Sequence, residues 1–141
     1  MFNPSREEVR ETFFAAWRKY RAGLPLVGIE ALAVDVILLH PEYHDTLDHP
    51  ERSRERDYVD ESNPFLHMSL HVALEEQLSI DQPPGIVQRF DSLVGKFHDR
   101  HEALHQALEC LAETVWRAQR NHAPPDAAAY LECLAGRALR R

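Results

Sequence analysis

The sequence predicts an all-α fold, a compact bundle of five or six helices joined by short turns that contain proline. Every long segment places its apolar residues with the 3.6-residue period of a helix. No segment alternates apolar and polar residues over the length of a strand. Proline and glycine interrupt the periodic segments, which gives each helix a predicted end. Amphipathic helices separated by short turns are typical of a bundle.

The size, composition and charge of the chain favour one folded domain, residues 1–141. The chain is 44% hydrophobic and 28% charged, which is too apolar for a disordered protein. Its formal net charge of -7 disfavours binding to a phosphate backbone. It has no apolar run near the roughly 20 residues that span a bilayer, and no signal peptide pattern. We therefore expect a soluble cytoplasmic protein that binds neither nucleic acid nor membrane.

The first half of the chain is predicted to form two long helices and a short one. A capping box that begins at Ser5 opens the first helix, which ends at Gly23. The second helix begins near Gly28 and is interrupted by Pro41, since proline cannot continue the hydrogen-bond pattern of a helix. A short helical piece then continues to about Leu47.

The second half of the chain is predicted to form an exposed loop followed by four helices. Residues 49–62 are nearly all polar and show no period, which indicates a loop. Ser62 or Asn63 is the predicted N-cap of the helix that follows, because both side chains can accept a hydrogen bond from a backbone N–H. The helices are predicted over about 64–79 and 86–97, through Leu104–Trp116, and from Asp126 through Leu134.

The two cysteines, Cys110 and Cys133, each lie in an apolar helical stretch and not at the spacing of a CxxC motif. Such cysteines usually behave as small buried hydrophobic residues. We therefore predict that both are reduced, and we expect neither a structural disulfide nor a thiolate zinc site.

Histidine is frequent, with nine residues, and two predicted helices repeat the same histidine spacing. Residues 66–75 read LHMSLHVALE and residues 100–109 read RHEALHQALE. Because residues four apart lie on the same face of a helix, each segment carries a stripe of two histidines and one glutamate. The two stripes consist of His67, His71 and Glu75, and of His101, His105 and Glu109.

Each stripe lies beside leucines, so we expect both stripes to point toward a partner helix. If the two helices run antiparallel, His71 faces His105. If they run parallel, each residue of one stripe instead lies at the same height along the helices as the corresponding residue of the other stripe. Buried imidazole and carboxylate groups are costly unless they are paired or bind a metal. The stripes therefore predict a site for one or two transition metal ions, with Fe, Zn, Mn, Ni and Cu as candidates.

His40 and His44 form a third pair with helical spacing, and Pro41 lies between them. Because the proline breaks their common helix, we interpret the pair as mainly structural. His44 is nevertheless included in the predicted metal site, as an additional ligand or as a hydrogen-bond partner of a ligand.

The competing hypothesis is a metal-free interaction protein. In that case the histidine cluster is structural, stabilises a homodimer, or senses pH as the imidazoles become charged. If a metal is present and has an open position, redox chemistry or metal-assisted hydrolysis is reasonable, with Glu76 or Glu102 as a nearby base. The sequence does not select one of these activities, so catalytic residues and enzyme activity are left open.

Five segments spread along the chain form a further pattern. They are MFNPSR at residues 1–6, HPEYH at 40–44, NPFLH at 63–67, EQLSIDQPPGI at 76–86 and HQALEC at 105–110. With these segments the chain resembles, over nearly its whole length, the bacterial family known as domain of unknown function 1841. The resemblance implies a bacterial single-domain protein and brings no activity with it.

Overall fold

The structure, a computed structural model, describes residues 6–53 and 63–139. In this part of the chain all regular elements are helical, with eight α-helices, one short 3-10 helix and no strand. The all-α class is therefore confirmed, and the helix count is higher than the five or six predicted. The difference lies in the two short helices between residues 44 and 53. The first, with the 3-10 helix before it, corresponds to the short helical piece predicted up to about Leu47, whereas the second lies in the predicted loop and is too short to show a period.

The helices have the following bounds along the chain. The first four are α1 (Arg6–Arg21), α2 (Ile29–Leu38), α3 (His44–Asp48) and α4 (Pro50–Ser53). A 3-10 helix, Pro41–Tyr43, precedes α3. The other four are α5 (Pro64–Ile80), α6 (Ile86–Phe97), α7 (Arg100–Arg120) and α8 (Ala127–Leu139). Among the described helices, none combines the length and the apolar character needed to cross a bilayer.

Side chains and backbone conformation explain several helix ends. Asn63 is the N-cap of α5, since its Oδ1 accepts hydrogen bonds from the N–H groups of Phe65 and Leu66 at 2.9 and 3.2 Å. Asp99 caps α7 by accepting from the N–H of His101 at 3.1 Å. The predicted capping box at Ser5 lies outside the described residues. The predicted loop 49–62 is described only to residue 53, and α4 lies in that part.

The helices group into two compact units that divide after Val72, within α5. In the first unit, α1 packs against α2 and α3, and in the second α6, α7 and α8 pack pairwise. A single domain over residues 1–141 stays a prediction. The first core consists of Phe13, Phe14, Ala16, Trp17, Ala33, Val34, Val36, Ile37, Leu47, Phe65, Met68 and Val72. Buried residues of the second unit include Leu74, Ile86, Phe90, Leu93, Ala103, Leu104, Leu111, Tyr130 and Leu134.

The prediction of two reduced cysteines was wrong. Cys110 of α7 and Cys133 of α8 are joined by a disulfide, with their Cα atoms 5.8 Å apart. The two residues are 23 positions apart in the chain, and neither one's local surroundings in the sequence indicate the other. Only the packing of α7 against α8 brings them to the distance that a disulfide requires. Cys110 is buried, as predicted, whereas Cys133 is only half-buried.

Candidate metal centre

Three histidines of the first unit converge in the structure. His67 and His71 lie one turn apart on α5, and His40 follows the end of α2. His40 has an extended backbone conformation with φ -128° and ψ 70°, as is usual for a residue that precedes proline. His40 and His71 are almost fully buried, at 2% and 0% exposure, whereas His67 is half-buried. His67 is therefore the most exposed of these three histidines.

The convergence involves the Nε2 atoms of all three rings. His67 Nε2 lies 3.1 Å from His40 Nε2 and 3.2 Å from His71 Nε2. The ring centroids are 4.6 to 4.9 Å apart, with the rings turned edge to face. The three imidazoles thus direct nitrogens toward a common point instead of stacking their ring faces.

A backbone contact fixes the tautomer of His40. Its Nδ1 lies 2.8 Å from the carbonyl oxygen of Val36, and because a carbonyl only accepts, Nδ1 must donate. In a neutral imidazole the other nitrogen then has a lone pair, and Nε2 is the atom that faces His67. Histidines that bind metals usually donate their second N–H in this way, which orients the ring and increases its basicity.

Hydrogen bonds within the cluster do not account for both short contacts of His67. A ring nitrogen has either one in-plane hydrogen or one in-plane lone pair. Its Nε2 therefore cannot donate to His40 and accept from His71 at the same time, although both contacts are near 3 Å. A cation avoids this conflict because it accepts the lone pairs of all three nitrogens.

The separations also agree with metal coordination. Imidazole nitrogens bind zinc at about 2.0–2.1 Å. Two nitrogens bound to the same ion therefore lie about 2.9 Å apart when the nitrogen–metal–nitrogen angle is a right angle, and about 3.3 Å apart when it is tetrahedral. The separations of His67 Nε2 from His40 Nε2 and from His71 Nε2, 3.1 and 3.2 Å, fall between these values. All three candidate ligand atoms lie within 4.8 Å of one another. The residues present therefore fit a transition metal ion with three nitrogen ligands.

Tyr43 borders the cluster. Its ring stacks on His40 at 5.4 Å and meets His67 edge to face at 6.3 Å. Burial, with a smaller contribution from the charge of Glu42, raises the pKa of the Tyr43 phenol. The phenol therefore stays protonated at neutral pH, so it provides a neutral aromatic wall.

The structure places His40, and not His44, beside His67. The Nε2 of His44 donates to the carbonyl oxygen of Ile37 at 2.9 Å, and its ring packs against Trp17 with centroids 4.5 Å apart. His44 thus connects α3 to α2 and α1 within the first unit. The sequence contains a signal that could have identified His40. It follows Ala33 and Val36 at helical spacing, and both of these residues lie on the buried face of α2.

The remaining predicted ligands lie in the second unit. Glu75 forms an ion pair with Arg100 at 3.0 Å, and Glu109 forms one with Arg137. On α7 the rings of His101 and His105 meet edge to face, with centroids 4.3 Å apart. Their spacing on one helix face is therefore as predicted, whereas both glutamates are engaged with arginine.

A comparison with known protein families gives one result. The family described as Domain of unknown function (DUF1841) has a model that matches residues 5–136. The chain belongs to this family. The family resemblance read from the sequence is thereby confirmed, and a bacterial origin stays a prediction. The matched range includes the three clustered histidines, both predicted stripes and the disulfide. Neither the curated proteins nor the solved structures compared with the chain gave a match.

Proposed function

We propose that this DUF1841 protein binds a divalent transition metal ion in its first unit, through the Nε2 atoms of His40, His67 and His71. The observation that carries the proposal is the convergence of these three nitrogens, with separations of 3.1 and 3.2 Å. The burial of His40 and His71 supports it, because metal binding offsets the cost of burying imidazole nitrogens.

The ligand set favours particular metals. Imidazole nitrogen suits Zn, Fe, Ni and Cu, whereas Ca and Mg prefer oxygen ligands. Mn, included in the sequence prediction, is the least favoured of the candidates, since carboxylate and water suit it better. Three protein ligands also leave a coordination position for water or a substrate, and a bound ion would supply Lewis acidity or redox chemistry there. Whether the protein is an enzyme is left open by this proposal.

The second stripe adds a proposed ligand on the basis of the sequence alone. If α5 and α7 run antiparallel, as one of the two predicted arrangements has it, His105 is the stripe residue expected opposite His71. We therefore keep His105 as a proposed fourth ligand, which in a tetrahedral site would fill the position that the other three ligands leave open. His101, Glu75, Glu109 and His44 are the other members of the predicted set, and we assign them a lower priority.

A metal titration of protein purified without an affinity tag tests the proposal. Elemental analysis of the purified protein should find a transition metal, and the metal-free protein should bind Zn in competition with a chelating dye. His67→Ala should weaken binding by at least about tenfold, since loss of a second-shell partner alone has that effect. His67 is the most suitable position because it is half-buried, so its removal perturbs the core less than removal of His40 or His71.

Two further variants complete the experiment. His49→Ala is the matched control, because His49 belongs to the same unit and its Nδ1 contacts the Asp45 carbonyl oxygen at 3.0 Å. Its affinity should equal that of the wild type. His105→Ala tests the second stripe, and an unchanged affinity would remove His105 from the ligand set. Circular dichroism should show unchanged helix content in each variant.

The second candidate function is that of a metal-free interaction protein with a structural or pH-sensing histidine cluster, including a homodimer. The edge-to-face packing of the three buried or half-buried rings favours it, since histidines can contribute to a core in this way. Metal-free protein whose melting temperature does not change on addition of Zn, Fe, Ni or Cu would favour this candidate and contradict the metal proposal.

A further inference from the structure

The second unit contains a cavity that the metal proposal does not use. It has a volume of about 540 Å³ and lies between the C-terminal part of α7 and the start of α8. This volume is within the range of small-molecule sites, roughly 300–1,000 Å³. The lining includes Cys110, Cys133, Glu113, Thr114, Arg117 and Asn121. Both halves of the disulfide therefore border a space that is large enough for a ligand.

The two sulfur-bearing residues differ in exposure. Cys110 is 1% exposed, whereas Cys133 is half-buried. A thiolate attacks a disulfide at the sulfur that it can reach, and the other sulfur leaves. Because Cys133 is the more exposed residue of the pair, attack in this cavity is expected at Cys133, with Cys110 as the leaving group.

The other lining residues indicate which thiol the cavity can accept. Arg117 donates a hydrogen bond to Glu113 at 2.7 Å, and both side chains are exposed. Asp126 and Asn121 also line the cavity. A wall with a guanidinium, two carboxylates and an amide complements a thiol that itself carries both carboxylate and ammonium groups. A small peptide thiol has these groups and a size suited to the cavity.

We propose that the Cys110–Cys133 disulfide is a reversible redox pair and that this cavity admits a small peptide thiol. In the first step the thiolate sulfur bonds to Cys133 Sγ, the bond between the two cysteines breaks, and the electron pair leaves on Cys110 Sγ, which takes up a proton. In the second step another thiolate attacks the thiol-derived sulfur of the mixed disulfide. Cys133 leaves as a thiolate and is protonated. The protein gains two electrons and two protons, and two thiols become one small disulfide.

Glutathione is the probe for the test. The oxidised full-length protein is incubated with glutathione, quenched with acid, and analysed by intact mass and peptide mapping. The expected product at early times is one glutathione attached to Cys133, with Cys110 as a free thiol. An adduct mainly on Cys110, or equal adducts on both cysteines, would overturn the proposed direction of attack. Full resistance of the disulfide to glutathione would overturn the proposal as a whole.

Single cysteine variants give a second measurement under oxidised glutathione. In Cys110→Ala, the accessible Cys133 should form a mixed disulfide at least about tenfold faster than Cys110 does in Cys133→Ala, since thiol exchange depends on access. Equal rates would contradict the proposal. The time course in the wild-type protein stays informative even where one of these variants does not fold.

A third variant tests recognition by the cavity. Arg117→Gln removes an exposed charge, so the fold should be retained. It should slow reduction by glutathione several-fold and leave reduction by uncharged 2-mercaptoethanol unchanged. Equal effects on the two thiols, or no effect on either, would show that the cavity does not recognise a charged thiol.

Discussion

Removal of the disulfide should destabilise the second unit by an amount that follows from the loop it closes. Cys110 and Cys133 are 23 residues apart. In the chain-entropy description a loop of this length restricts the unfolded chain by about 3 kcal/mol at 25 °C. Reduction of the wild-type protein should therefore lower the free energy of unfolding by about 3 kcal/mol. With a urea dependence of roughly 1–3 kcal/mol per molar, the unfolding midpoint should fall by about 1–3 M.

The assay is urea unfolding followed by circular dichroism, with and without an excess of reductant. The double variant Cys110→Ala, Cys133→Ala should not respond to reductant, which makes it the control for direct effects of the reagent. The difference between this variant and the reduced wild type measures the packing of the two thiols, mainly that of buried Cys110. If oxidised and reduced wild type unfold at the same urea concentration, the entropic reasoning is refuted for this protein.

Three further predictions concern side chains outside both proposed sites. Tyr130→Phe should cost about 1 kcal/mol, because the buried hydroxyl donates to Gln77 Oε1 at 2.7 Å. Burial also raises the pKa of Tyr130 from 10.0, so wild-type stability should decline as the pH rises above about 10, where the unfolded phenol ionises. In alkaline urea titrations the variant should show a weaker decline, of which the raised pKa of Tyr43 accounts for a part. A hydrogen bond from Lys19, and to a smaller extent one from the Val27 N–H, lowers the pKa of Glu30. Wild-type stability should therefore fall as the pH drops below 4.5. In melting measurements, the stability of Glu30→Gln should depend less on pH. Leu93→Ala should destabilise by about 2–5 kcal/mol in calorimetry, since Leu93 is 0% exposed; a cost under about 1 kcal/mol would contradict its assignment to the core.

The two proposals can be tested independently. The histidine cluster belongs to the first unit, and the disulfide cavity belongs to the second. A variant at His67 should therefore change metal affinity without changing the rate of glutathione exchange. A variant at Arg117 should have the opposite pattern. A single variant that changed both readouts would indicate a general loss of the fold, and the comparison of the two assays controls for that outcome.

The positions of the long helices could be read from the sequence because helix formation is local. Apolar residues at positions three and four apart identified α1, α2, α5, α6 and α7, and Asn63 was one of two predicted caps for α5. Such signals depend on neighbours within one or two turns. The predicted short helical piece that ends near Leu47 corresponds to the 3-10 helix and α3. The four-residue helix α4 was missed because it is too short to show a period, and it lies in the predicted loop.

The candidate site was predictable only in part. The spacing of His67 and His71 placed both on one face of α5, which the structure bears out through the 3.2 Å contact of their Nε2 atoms. The sequence interpretation treated His40 and His44 as mainly structural because Pro41 lies between them, and it included only His44 in the predicted metal site. The backbone turn at that proline decides otherwise, since it directs His40 toward His67 and leaves His44 bonded to the Ile37 carbonyl.

The sequence by itself determined the helical class, the approximate positions of the long helices and the two histidine stripes, because each of these depends on residues within a few positions of one another. Only the tertiary structure decided that His40 joins His67 and that Cys110 bonds to Cys133. These contacts join residues 27 and 23 positions apart. Their formation depends on how the helices pack and on where the turns direct the chain. The periodicity of a sequence gives neither the distance between His40 and His67 nor that between Cys110 and Cys133.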